Sequence, residues 1–572
     1  MDSPVNSQPW SCLFVHLYLA KCRKHIIPGW FQKLPQVDLH LVGSVSTKLP
    51  AMTLNLLSLN RDVLYIVLSY LNASSALTLS MVSREAYDIS LARSLSSVCI
   101  TQSQDQLRAF CMAMLMNGGV RLPFLRELTI TSSAFGVARH IEFTHTVDFS
   151  ASSQLVDLLE GAGRLRRLSI SCFEALITHE PRIAAALEVL PDLVDVSLHN
   201  CGELSLTHLP QMCSQLRRLT FTQLFNKRTP ALFERLGALQ NLDCLELAHL
   251  DIQTDKTWPP TDFGMAERKQ IPSLRTLSVH GTKARMLSFV NAFPNLHTLV
   301  VSDIYADPVE GDNDTGNFEA CWPSLDRLRG NVPDFAHWVI ACPVRLLELE
   351  QTSYHYATAL GVIERTNPII LSLPVETRVS QAAFWGQFVR VVPRLRHLAL
   401  RLEEGHTSKV DDWMGTIPQI LGTIPIQSLS ICIRPFRVPS PALNPVRHVA
   451  GPVPTSDSLT ESVLHAFRLH IACTIASLRW VAVTVAEKEK FSVGDTPAVI
   501  NAEVPLWWRV DGGALEPILK YQDFTPIDAK ESTDTVRPYL CLPRTRYKLK
   551  IEACVSVAVD SKAIEERGDC PP

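Results

Sequence analysis

Histidine, carboxylate and thiol side chains are where chemistry would begin in this chain, and their spacing offers little. His179-Glu180 stands before Pro181, without the second histidine one turn on that a zinc-bound hydrolytic water requires, and reads as a surface turn. Asp411-Asp412 pairs two acids with no partner constellation, as a solvated loop does. His199, His249 and His280 each follow an alternating apolar run, where a strand leaves a sheet. They are candidates for touching a bound partner, and equally the polar residues that a strand exit calls for. The 15 cysteines are scattered, with no Cys-x-x-Cys; Cys201 and Cys213, among the closest, have no His or Cys cluster beside them. An odd, dispersed set argues against a disulfide framework or structural zinc, and for small apolar residues in a reducing compartment. Gly-x-Gly-x-x-Gly, Gly-x-x-x-x-Gly-Lys-Ser/Thr, His-Glu-x-x-His and Gly-x-Ser-x-Gly are all missing. No cofactor or metal is expected, and the chain does not read as an enzyme.

What elements would present these side chains? The chain has 572 residues, 46% apolar and 19% charged, with a net charge of -3. That supplies a large core and excludes a mainly disordered chain. Near neutrality gives no support for a nucleic-acid partner. No run approaches the length of a membrane span. At the N-terminus the apolar run Ser11–Ala20 precedes Lys21, Arg23 and Lys24, the reverse of the order a secretory signal uses. An intracellular location, cytoplasm or nucleus, is expected. Met52, just before the first well-patterned region, is an alternative start.

A short pattern with apolar residues at positions one, four and six recurs through the chain. It reads LRELTI at 125–130, LRRLSI at 165–170, LVDVSL at 193–198, LRRLTF at 216–221, LDCLEL at 242–247 and LRTLSV at 274–279. It continues as LHTLVV at 296–301, VRLLEL at 344–349, LRHLAL at 395–400, IQSLSI at 426–431 and LRWVAV at 478–483, with a truncated LDRL at 325–328. Positions four and six flank a polar residue, which is strand periodicity. Helix-like runs such as SSQLVDLLEGAG, RIAAALEVL and ALFERLGAL lie between copies. Proline often precedes the first leucine by two residues, as at Pro123, Pro191 and Pro272, ending the helix and favouring extended chain. Successive starts from Leu165 to Leu325 lie 28, 23, 26, 32, 22 and 29 residues apart. Such units bury their apolar faces only by stacking, as leucine-rich repeats do. A doubly wound α/β sheet, the competing architecture, has longer apolar strands and no such grammar. Between Val344 and Leu395, Pro368–Leu373 is a degraded copy. Asp303–Asn317 and Pro435–Thr455 read as loops, and Pro505–Val510 as a strand of a terminal cap.

Upstream, residues 54–92 carry apolar residues at helical spacing, with Asn60, Ser74 or Ser75, and Ser83 as helix caps. Three short helices in about 40 residues are small for independent stability. The run Leu59-Asn60-Arg61-Asp62-Val63-Leu64-Tyr65-Ile66-Val67-Leu68-Ser69-Tyr70-Leu71, with Leu77, Leu79, Met81-Val82-Ser83-Arg84 and Tyr87, resembles an F-box. Asn60 stands where that family has proline, and Tyr87 where tryptophan is common. With the repeats, the chain resembles the leucine-rich F-box proteins, many of them fungal. The resemblance implies a substrate-recognition adaptor of an SCF-type ubiquitin ligase, which binds a Skp-type adaptor, and through it a cullin, by Leu59, Val63, Leu64, Ile66, Val67, Leu68 and Leu71. A protein substrate would be held by the repeats. The alternative is a leucine-rich scaffold with no ligase link.

The expected fold is therefore α/β. An uncertain lead covers 1–52 and an all-helical docking segment 53–100. A repeat solenoid, its parallel sheet curved and its helices on the convex side, covers 101–485, and a cap and tail cover 486–572. The polar strand positions of the first copies include Arg126, Glu127, Arg166, Arg167, Arg217 and Arg218. Arg126, Arg167 and Arg218, with the three histidines, are the candidate substrate residues, and the first copies are expected to favour an acidic or phosphorylated partner.

Overall fold

The computed structural model describes residues 59–137, 147–212, 215–223, 232–252, 270–305, 321–350, 355–376, 382–405, 407–435, 461–485, 507–511 and 514–517. The lead before Leu59, with Met52, lies outside them, as do the tail beyond Pro517 and nearly all of the two stretches read as loops. The chain divides into two compact units, Met1–Leu64 and Tyr65–Pro572.

Three helices open the described chain: α1 Arg61–Tyr70, α2 Ala73–Ser80 and α3 Arg84–Ser94. Asn60 begins α1 through its side chain, which accepts from the Asp62 amide at 3.0 Å. The cap of α2 is Asn72, whose side chain accepts from Ser75 N–H at 2.7 Å. Ser74 and Ser75, the expected caps, lie one turn too late, inside the helix. Ser83 caps α3, accepting from Ala86 N–H at 3.0 Å.

Sixteen strands then form one sheet in chain order. They are β1 Ser97–Ile100, β2 Glu127–Ile130, β3 Arg167–Ile170, β4 Asp195–Cys201, β5 Arg218–Gln223, β6 Cys244–Ala248, β7 Thr276–His280 and β8 Thr298–Ser302. There follow β9 Leu325–Gly330, β10 Val344–Leu349, β11 Ile370–Glu376, β12 His397–Gly405, β13 Ser428–Pro435, β14 Trp480–Val485, β15 Trp508–Asp511 and β16 Ala514–Pro517. Every pairing from β1 to β14 is parallel. All the repeat copies, the truncated one included, form strands of this run, and the degraded copy supplies β11. Helices separate most of the strands, so the array is a succession of parallel strand–helix units. β15 and β16 form an antiparallel hairpin against β14.

Register aligns the repeat positions into rows. Position four forms the row Leu128, Leu168, Val196, Leu219, Leu245, Leu277 and Leu299, and position six the row Ile130, Ile170, Leu198, Phe221, Leu247, Val279 and Val301. Both rows are buried in one continuous core with the apolar helix faces. The units are also stapled by acids. Glu174 accepts from the amides of Gly202, Leu204 and Ser205 at 2.8, 2.9 and 2.9 Å, capping the helix Glu203–His208 of the following unit. Asp334 accepts from the amides of Asp303 and Ile304 at 3.2 and 2.8 Å. One expectation needs correcting. Ser97–Ile100 is not part of a helical segment but the first strand, because Leu95, Val98 and Ile100 already follow the one-four-six pattern.

Candidate docking surface

The helices before the sheet are built inside out. Beside Leu64 and Leu68 of α1, their interior holds small residues from α2 and α3: Ala76 and Ala86, with Ser80, Ser90 and Ser94. The serine hydroxyls are satisfied within their own helices, donating to the carbonyls of Leu77, Ala86 and Leu91 at 2.6, 2.5 and 2.9 Å. Small residues let helices approach closely, and Arg93 Nε donates to the Leu71 carbonyl at 2.9 Å, tying α3 to the α1–α2 junction. Six large apolar side chains are left outside. Tyr70 is 85% exposed, Val82 72% and Ile66 58%, and Tyr65, Leu77 and Met81 are exposed as well. These six lie within residues 65–82 and make up six of the seventeen exposed large apolar residues described. Single exposed apolar residues need no explanation, but such a concentration marks an interaction surface.

Among the seven residues expected to dock, Val63 and Ile66 are exposed, and Leu59, Val67 and Leu71 are half-buried. Leu64 and Leu68, at 4% and 3% exposure, are interior and offer no free surface, which corrects their assignment. The sequence reading missed Tyr65, Tyr70, Leu77, Met81 and Val82. The signal was there: serine and alanine occupy the helical positions that a self-sufficient hairpin would fill with leucine.

On the sheet the candidate arginines separate. At position three, register places Glu127, Arg167, Asp195 and Arg218 side by side on β2 to β5. Arg167 lies 3.0 Å from Glu127 and 3.5 Å from Asp195. Burial raises the Asp195 carboxyl even though Arg167 and Arg218 pull it down. This row alternates in sign, so the expectation that it presents an arginine-rich face is corrected: Arg167 is spoken for by two carboxylates. Arg218 is exposed at the end of the row, and Arg126 donates to the Arg164 carbonyl at 3.2 Å. Arg167→Glu is expected to cost about 1 kcal/mol of stability by placing three acids in line, an effect that shrinks in high salt. Thermal unfolding at two ionic strengths checks this; an unchanged midpoint in low salt would discard the ladder.

The three histidines are not one ledge. His199 and His280 share a row with Thr222 and Ala248 between them, so three strand spacings, about 14 Å, keep them apart. Each pairs with a hydroxyl on the next strand, His199 with Thr222 at 3.3 Å and His280 with Ser302 at 2.5 Å. Burial lowers the His199 pKa and favours the neutral ring. His249 lies outside the row at φ 58° and donates its amide to the His280 carbonyl at 2.9 Å. Burial pushes the Cys111 thiol up to about 12 and raises Cys172 and Cys201, which keeps them as protonated core residues. Among the described residues no group of three His, Cys, Asp or Glu side chains could hold a metal ion, and no helix is long and apolar enough to cross a membrane.

Residues 56–97 match the F-box domain family. No curated protein matches the chain. Among solved structures, internalin C2 of Listeria monocytogenes is similar at 14% identity over 37% of this chain and 73% of its own, with a TM-score of 0.20. Internalin inlF of the same organism is similar at 12% identity over 64% and 89%, with a TM-score of 0.27. TLR13, in complex with ssRNA13, is similar at 15% identity over 56% and 52%, with a TM-score of 0.26. At these scores the likenesses add nothing to a fold already given by the strand register. An F-box joined to stacked strand–helix units is a non-catalytic, protein-interaction architecture.

Proposed function

We propose that this chain is a substrate-recognition adaptor of an SCF-type ubiquitin ligase, working in the cytoplasm or nucleus. Its docking domain, from residue 53 to 96, binds a Skp-type adaptor and through it a cullin, while the array from 97 to 485 holds a protein substrate, with 486–572 as cap and tail. One observation carries the docking half: small residues inside the helices and Ile66, Tyr70, Leu77, Met81 and Val82 outside them. A segment that sends its large apolar groups outward is stabilised by what covers them, and interfaces of this kind are apolar at the centre. The F-box match over the same residues supports a Skp-type adaptor as the covering protein. Asn60 in place of proline keeps the helix cap but loses the rigid entry, which points to modest affinity. The competing reading, a scaffold without a ligase link, has the same sheet and leaves the exposed helix residues unexplained.

The test is titration calorimetry of the purified full chain with a Skp-type adaptor. A saturable one-to-one complex supports the ligase reading. A folded chain that shows no heat and no co-elution overturns it in favour of the scaffold.

A further inference from the structure

One row of the sheet differs from the neutralised one beside it. At position two of each repeat, just before the strand, the residues Arg126, Arg166, Val194 and Arg217 succeed one another on β2 to β5. Their backbones form an unbroken ladder: Arg166 N–H donates to the Arg126 carbonyl at 2.8 Å, Val194 to Arg166 at 3.0 Å, and Arg217 to Val194 at 3.0 Å. Neighbouring side chains in this row are therefore one strand spacing apart, about 4.8 Å at the backbone. Arg126 reaches sideways to the backbone carbonyl of Arg164, which places a fourth arginine beside the same rim. Arg164, Arg166 and Arg217 are exposed, and among the described residues they enter no ion pair. The ladder continues to Asp243, whose N–H donates to the Arg217 carbonyl at 2.8 Å, so one carboxylate bounds the row beyond Arg217, while Glu127 and Asp195 lie one position further in and are held by Arg167. Counting these with Asp192 and Asp243, the five strand entries from β2 to β6 carry six arginines against four acids, in a chain whose overall charge is -3.

We infer that this strand-entry rim, Arg126, Arg164, Arg166 and Arg217, is a binding surface for an acidic segment of a protein partner. Planar guanidinium groups one strand apart, at Arg126 and Arg166, and two strands on, at Arg217, suit carboxylates or a phosphorylated side chain spaced along an extended peptide. Such a peptide rises about 3.3 Å per residue, so acids three positions apart span about 10 Å, the two-strand gap between Arg166 and Arg217. The inference rests on the array being the substrate-recognition part of the chain, but its assay needs no Skp-type adaptor, so the two can fail separately.

The probe is a fluorescent oligoglutamate peptide, titrated with the full chain and followed by anisotropy. An oligoglutamine peptide and a single-stranded oligonucleotide of equal charge are run beside it. Binding of the acidic peptide is expected to weaken about tenfold in R166E/R217E and to be retained in R394E/R479E, which reverses two exposed arginines in later repeats. The double variant should show the parent's circular dichroism spectrum and thermal midpoint, showing that it is folded. Equal peptide affinity in parent and R166E/R217E overturns the inference. So does an oligonucleotide that binds more tightly than the peptide, since the rim would then be a general polyanion surface.

Discussion

The substitution Ile66→Asp is expected to weaken binding of a Skp-type adaptor by about 100-fold, and Tyr70→Asp by a similar factor, without unfolding the chain. Both side chains are more than half exposed, so a carboxylate there stays solvated in the free protein. In a complex the same carboxylate would be desolvated against an apolar surface with no partner, and a central interface residue commonly carries about 2 to 4 kcal/mol. They are four residues apart on α1 and share a face. Leu68→Ala makes the contrast. Leu68 is interior, so its loss should cost about 2 to 3 kcal/mol of stability and affect binding only through the folded fraction. Calorimetry paired with circular dichroism separates the two. If Ile66→Asp and Tyr70→Asp bind as the parent does, the adaptor does not use this face.

Gly330→Leu, which would restore the repeat pattern, is expected to destabilise the array by about 3 kcal/mol. Gly330 closes the truncated copy at position six, where Val301 and Leu349 flank it in register. Pattern alone marks the glycine as a defect that leucine would mend. In the structure a Cβ at this position would clash with the Val301 carbonyl oxygen and sit 2.9 Å from the Phe335 ring. Phe335, 1% exposed, has taken the space that a side chain on β9 would otherwise fill. Backbone cannot yield cheaply, so overpacking outweighs the gain from extra apolar burial. Gly330→Ala should be destabilising too, and Phe335→Ala combined with Gly330→Leu should recover only part of the loss, since the carbonyl remains. Urea unfolding compared at a common wavelength checks the order. A Gly330→Leu protein as stable as the parent would show that the core tolerates both side chains.

The repeats were legible because each copy states its own strand in six residues, and stacking identical units needs no long-range information. β11 was visible as a degraded copy through Leu371 and Leu373. β1 was missed although LSSVCI at 95–100 fits the pattern, since valine in place of leucine and the helices before it drew the segment into the helical domain. The helices themselves were legible from spacing and caps. Their binding face was not, because apolar periodicity alone assigns large residues to the interior, and here α2 and α3 bury alanine and serine. The charges show the same limit. Arg126, Arg166 and Arg167 look alike in sequence. Only the register between strands some 30 to 40 residues apart places Arg167 between two carboxylates and leaves Arg166 at the rim without one.

Among the described residues, the hairpin after β14 ends the parallel run. An uncovered parallel edge is a template on which another chain of the same direction can continue, and an array with two such ends could add copy to copy into a filament. Here the polarity reverses at Trp508–Asp511, and the last described strand ends in Pro517, which has no amide hydrogen to offer. The first copy of the pattern, β1, is only four residues long. One end of the array is thus short and the other runs the wrong way, so head-to-tail growth finds no matching pair of edges.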